Sequence, residues 1–425
     1  MGGNLKGVNY GDPISLYRGE KVVYLAKRLW PKLSEKLRLE FAIDLFYTLY
    51  LPYPLLRPAS EVEPERAREY YILRTLIDSE DFHALKIYTI GNTTSATLLS
   101  ASLIDHIGKE LEREGLSEGG EGEEGSEAHG NVARAVRRAL KKVMKESSTL
   151  RKIERLMSTG LEAGKGSTLD LEESGEDVIK LARNTDLEKL LEILSIMPDI
   201  NRKIKRRYDP FSRGEFRGYD IGKDLERIVP TELMLPKIYF KIKYLESKLL
   251  LYEKVLSRSS GPVYLLTDKS GSMEGEKMLW AKATSIALFM RSRRERRDFY
   301  MRFFDGLPHE LIKVSRRSKP REVIRFLEYL SKVKGGGGTD ITKAIVRACD
   351  DIKGGHVGKT SDIIIITDGE DNIADGIIRR KLRLSNARLV AVMILGENRD
   401  LRSVSENYLR ALRLSKEEII RVVEA

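Results

Sequence analysis

A helical N-terminal half followed by an α/β doubly wound, Rossmann-like domain is the architecture this sequence predicts, and three observations carry it. Apolar residues recur at helical spacing from residue 14 to about 112, and again from Val132 onward. After Gly261 the pattern changes to short apolar runs alternating with amphipathic stretches, the rhythm of strand–helix units in a parallel sheet. One of those runs, Ile363–Ile366, is four isoleucines in succession, as a strand covered on both faces requires. A chain of 425 residues exceeds one ordinary core. It divides into a helical region (1–112), an acidic Gly/Glu-rich linker or loop (113–130), a second helical region (131–260) and an α/β domain (261–425).

In the first region Leu25, Leu29 and Leu33, then Leu37, Phe41, Leu45 and Leu49, mark helix faces, and Pro52, Pro54 and Pro58 interrupt them. The run Gly119 to Gly125 is too polar and acidic to build a core. From Val132 a helix presents Arg134, Arg137, Arg138, Lys141, Lys142 and Lys145, read as a solvated basic face. A Gly-rich stretch (160–176) and a helical pair (177–207) follow. Gly160–Thr168 looks like a phosphate loop but fails the spacing: three residues separate Gly160 from Gly164, and Gly166 stands after Lys165 where Ser or Thr is needed. Ile238–Leu256 reads as one long helix leading into the final domain.

In that domain the expected order is strand 263–267, helix 277–290, and strands 299–304 and 311–314 joined around Asp305-Gly306 as an antiparallel edge pair. Helices 320–331 and 341–352, strand 363–366, helix 373–383 and strand 389–395 follow. The last segment, 402–425, is helical by pattern.

Composition narrows the function. With 41% hydrophobic and 33% charged residues the chain is globular. It has no apolar run of about 18 residues, residues 1–6 lack the apolar core expected of a secretory signal, and Lys6 spoils a myristoylation reading of Gly2. Cys349 is the single cysteine, which excludes an internal disulfide or thiolate cluster and fits a reducing cytoplasm; its helical neighbours Ala344, Ile345 and Ala348 make it a packing residue. Its five histidines are scattered. Glutamine is absent while Lys, Arg and Glu abound, a bias of hyperthermophile proteins. Net charge is +11, and residues 261–425 hold nine of those charges, with 32 basic against 23 acidic residues. Such a surface admits RNA as a partner, although interleaved acids favour a solvated ion-pair surface.

Three loops of the last domain carry chemistry. Asp268-Lys269-Ser270-Gly271-Ser272 follows the first strand, Gly335 to Gly338 lead into Thr339-Asp340 before a helix, and Thr367-Asp368-Gly369 follows the isoleucine strand. In open α/β sheets ligands bind beyond the carboxyl ends of the strands, where strand order reverses. The loops offer two carboxylates (Asp268, Asp368) and three hydroxyls (Ser270, Ser272, Thr339), a hard oxygen set for Mg²⁺, Mn²⁺ or Ca²⁺. Lys269 is read as solvated.

The three loops resemble the metal-ion-dependent adhesion site (MIDAS) of von Willebrand factor A (VWA) domains, and the likeness runs from Gly261 to residue 425. The resemblance implies that Ser270 and Ser272 bind the metal directly, that Thr339 does so in at least one state, and that Asp268 and Asp368 often act through water. It also implies that an Asp or Glu carboxylate of a protein partner completes the shell. Gly218-Tyr219-Asp220-Ile221-Gly222-Lys223 through Leu233 is similar to the segment before the A domain in ViaA and CoxE-like proteins, and Gly160-Leu161-Glu162 to a Gly-rich stretch of theirs. That likeness implies a MoxR-type AAA+ ATPase as partner, in chaperone-like assembly or maturation of protein complexes.

Two other readings compete. Aspartate-nucleophile phosphohydrolases also place Asp after the first strand and use Mg²⁺, but they need an acid two residues later, where this chain has Ser270, and the loops hold no general base; the expectation is therefore no enzyme. Ro-type ribonucleoproteins join a helical region to an A domain, yet no aromatic-basic stacking surface stands out here.

Overall fold

The computed structural model describes every residue except 1–2, 33–36, 115–125, 159–169, 196–207, 258–260, 356, 358–360, 370 and 425. Among the described residues, eight α-helices build the N-terminal half: α1 (Pro13–Leu29), α2 (Leu39–Tyr50), α3 (Ala67–Ile77), α4 (Glu80–Thr89), α5 (Thr93–Arg113), α6 (Ser126–Ser158), α7 (Leu171–Ala182) and α8 (Thr185–Ser195). Local chemistry sets their starts: Asp12 caps α1 by accepting from the N–H groups of Ile14 and Ser15, with Pro13 in the first turn. Part of the acidic stretch and the whole Gly160–Thr168 run lie outside the described residues. The basic face of α6 is partly engaged with α5: Arg138 pairs with Glu114 at 2.8 Å and Lys142 with Glu110 at 2.6 Å.

Region 131–260 is not helical throughout. Strand β1 (Tyr208–Gly222) pairs antiparallel with β2 (Leu249–Ser257), and the short helices α9 (Pro230–Leu233) and α10 (Lys237–Leu245) lie between them. The expected long helix over 238–256 stops at Leu245 because Ser247 turns left-handed (φ 55°). The Lys248 N–H then closes on the Lys243 carbonyl and the Ser247 N–H on that of Tyr244, a Schellman ending. Serine in place of glycine hid this stop.

The C-terminal domain is a six-stranded sheet in the order β5 (Pro308–Val314), β4 (Phe299–Phe304), β3 (Val263–Asp268), β6 (Asp362–Thr367), β7 (Arg388–Ile394) and β8 (Asn407–Ala411). All pairs are parallel except β4–β5 at the edge. The helical C-terminal segment expected over 402–425 is instead the end of α15 (Arg399–Val404), the edge strand β8 and α16 (Lys416–Glu424). β8 forms because Asn407–Ala411 extends β7 in register.

Alternation along the strands feeds two cores. Val263, Leu265, Met301, Ile364 and Ile366 face helices α11 (Glu276–Arg294), α12 (Pro320–Lys332) and α16, in a cluster continuous with that of the N-terminal helices. Tyr264, Leu266, Tyr300, Ile363 and Ile365 face α13 (Ile341–Lys353) and α14 (Asp375–Ser385), with Cys349 buried among them. The two halves meet directly: α11 packs on α8, and α12 packs on α6, α7 and α8. No described helix is long and apolar enough to cross a membrane.

Candidate metal centre

Strand order reverses between β3 and β6, which lie side by side with Thr267 opposite Ile366. From there the chain runs one way to β4 and β5 and the other way to β7 and β8. Asp268 ends β3 and Thr367 ends β6, so loops one and three leave the sheet at the same point.

Asp268 is wholly buried. Its Oδ1 accepts the Ser270 N–H at 2.8 Å and its Oδ2 accepts the Thr367 hydroxyl at 2.5 Å. Burial pushes the Asp268 carboxyl up, hydrogen bonds from Thr367 and Ser270 oppose the shift, and the charge of Asp368 adds to it. The Ser270 and Ser272 hydroxyls stand 3.1 Å apart, and Ser272 Oγ donates to Asp368 Oδ1 at 2.8 Å.

Main-chain contacts hold the glycine loop against loop one. The Gly271 N–H donates to the Gly337 carbonyl (3.1 Å), and the Gly336 N–H to the Lys269 carbonyl (2.7 Å). Gly337 needs to be glycine twice over: its φ is +95°, and an added Cβ would sit 3.0 Å from the Cβ of Asp305. Thr339 then stands against loop three, where a Cβ on Gly369 would lie 3.0 Å from Thr339 Cγ2. Asp340 caps α13 by accepting the Lys343 N–H at 2.8 Å.

Asp268, Ser270, Ser272 and Asp368 thus form one hydrogen-bonded chain, with Thr339 beside it. Among the described residues no three His, Cys, Asp or Glu side chains converge as a metal cluster. The donor set present, two carboxylates and three hydroxyls on adjoining loops, fits a hard dication.

Three flanking residues, Lys269, Asp305 and Lys277, were not assigned to this centre from sequence. Lys269, expected to be solvated, pairs instead with Asp305 at 2.7 Å. Burial works against the Asp305 charge, yet hydrogen bonds from Lys269, the Leu307 N–H and His309 outweigh it and hold the carboxyl down at about 2. Lys277, in the first turn of α11, reaches back to Asp368 Oδ2 at 2.6 Å and to the Ser272 carbonyl at 3.1 Å. Its place five residues after Ser272 is the only hint in the sequence.

Residues 263–370 match the von Willebrand factor type A domain. The chain carries a VWA domain. It is similar over 271 residues to an uncharacterized protein of Methanocaldococcus jannaschii, at 28% identity, covering 59% of this chain and 60% of that one. A second uncharacterized protein of the same organism is 27% identical over 225 residues, covering 51% and 55%. The chain thus spans three fifths or less of the length of these relatives. A solved von Willebrand factor type A structure from Catenulispora acidiphila is similar at 18% identity and a TM-score of 0.31, covering 40% of this chain and 43% of that one.

Proposed function

We propose that this protein is a metal-dependent protein-binding adaptor. Asp268, Ser270, Ser272, Thr339 and Asp368 of the VWA domain hold a dication, Mg²⁺ with Mn²⁺ or Ca²⁺ as substitutes, and an Asp or Glu of a partner protein completes the shell. The observation that carries this reading is the run of hydrogen bonds from buried Asp268 through the Ser270 N–H and the Ser270 and Ser272 hydroxyls to Asp368, at the sheet's switch point. Three of the five ligands are neutral hydroxyls, which favours an exchangeable position that an incoming carboxylate fills. The metal's contribution is to hold that carboxylate, so the proposed function is binding rather than turnover.

The partner is a MoxR-type AAA+ ATPase, working with this protein in the cytoplasm on the assembly or maturation of other complexes. That part of the proposal rests on the likeness of residues 218–233 to ViaA and CoxE-like proteins. Capture of the ATPase by the full chain, with Mg²⁺ and with EDTA, tests it. Binding should vanish with EDTA, return with Mg²⁺, and be absent for folded Asp268→Ala and Ser270→Ala. Capture undiminished by EDTA would overturn it.

A further inference from the structure

Resting on the metal-centre reading above, we infer that Lys277 is a fixed counter-charge of this centre, weakening its hold on the dication while strengthening the loaded centre's hold on a carboxylate.

The geometry is direct. Lys277 Nζ lies 2.6 Å from Asp368 Oδ2 and 3.1 Å from the Ser272 carbonyl, so it contacts two of the residues that would hold the metal. The Asp368 side chain is 2% exposed and that of Lys277 28%, so this ion pair sits in partly excluded water, where charges act more strongly than at the surface. Those two hydrogen bonds hold the ammonium, and the packed helix fixes the backbone it hangs from. Lys277 belongs to the first turn of a nineteen-residue helix packed between the sheet and α16. The neighbouring lysines are engaged elsewhere: Lys269 with Asp305 and Lys343 with Asp340.

Formal charge then decides the direction of each effect. Two carboxylates, Asp268 and Asp368, balance the formal charge of a dication, so the open coordination position binds a further anion without help from net charge. Lys277 adds one positive charge, which an incoming carboxylate cancels. For the metal the sign is opposite: it approaches Asp368 against a like charge already in contact with that group. A unit charge facing a dication at a separation of roughly 5 Å changes binding on the order of tenfold even under aqueous screening.

The test uses the full-length chain and two probes. Mn²⁺ binding is followed by the loss of the free-ion electron paramagnetic resonance signal. Acetate binding to the Mn²⁺-loaded protein is followed by water-proton relaxation as inner-sphere water is displaced. Lys277→Met should bind Mn²⁺ about tenfold more tightly and acetate several-fold more weakly, and Lys277→Arg should follow the wild type. A variant damaged in its fold would lose both affinities together; Lys277→Gln, checked by circular dichroism, serves as the second neutral variant. Unchanged or weaker Mn²⁺ binding in the folded neutral variants, or unchanged acetate binding, overturns the inference while leaving the metal centre standing. Wild type that takes up no Mn²⁺, or no more than Asp268→Ala, overturns the metal centre and the inference with it.

Discussion

Thr367 donates a 2.5 Å hydrogen bond to Oδ2 of Asp268, joining the ends of two neighbouring parallel strands across 99 residues of sequence. This bond does more than tie strands together. It satisfies one oxygen of a wholly buried carboxylate, and the same Thr367 oxygen accepts the Gly369 N–H at 3.0 Å, so one hydroxyl shapes loops one and three.

Thr367→Val keeps the shape and removes that donor. The buried carboxylate loses a partner, and the folded state should lose about 1–3 kcal/mol. Urea unfolding in the presence of EDTA measures the loss, and an unchanged midpoint would refute the role assigned to this hydroxyl.

Metal binding should appear as stability. At a Mg²⁺ concentration 100 times the dissociation constant, a site formed only in the folded chain adds about 2.7 kcal/mol. Thermal scans with Mg²⁺ and with EDTA should differ for the wild type and coincide for Asp368→Asn.

Acid should act through Asp305. Its folded carboxyl titrates at about 2, below the ordinary value near 3.8. A depressed carboxyl stabilises the fold above its unfolded value, and that contribution is lost as pH falls from about 4 to about 2, on the order of 1 kcal/mol once solvent screening is counted. Asp305→Asn should flatten the unfolding free energy measured by urea titration across that window. Asp268, shifted the opposite way, contributes with the opposite sign: its ionisation costs the metal-free fold stability as pH rises.

Gly337→Ala meets both a left-handed backbone and the Cβ of Asp305. The expected cost is about 1–3 kcal/mol, with weakened Mn²⁺ binding because Thr339 is carried on the same loop. Calorimetry of the variant against wild type reads both.

Arg321 and Glu173 pair at 2.6 Å between α12 and α7, with side chains 66% and 54% exposed. Exposed pairs contribute little, so Arg321→Ala should move the urea midpoint by less than about 0.5 kcal/mol. A large shift would mean that ions, rather than the shared apolar cluster, join the halves.

The C-terminal sheet was legible because its signals are local. Four consecutive isoleucines, the Asp305-Gly306 turn and the apolar run before Asp268 each place a strand without help from distant residues; four of the five oxygen residues lie at or just beyond the ends of those strands, and Thr339 follows the glycine run before α13. What escaped the sequence depended on tertiary structure. Ser247 takes a left-handed conformation that glycine would have advertised, so a helix and a strand read as one helix. Asn407–Ala411 becomes a strand only because β7 offers an unpaired edge. Lys269 and Lys277 reveal their partners only once the loops converge.

One helix, α11, starts at the oxygen site and runs along α8 of the N-terminal half. A force applied to a captured ligand therefore has a stiff route into the helical body, through a packed rod instead of a tether. A pull at the oxygen site would load the α11–α8 contact as well as the sheet.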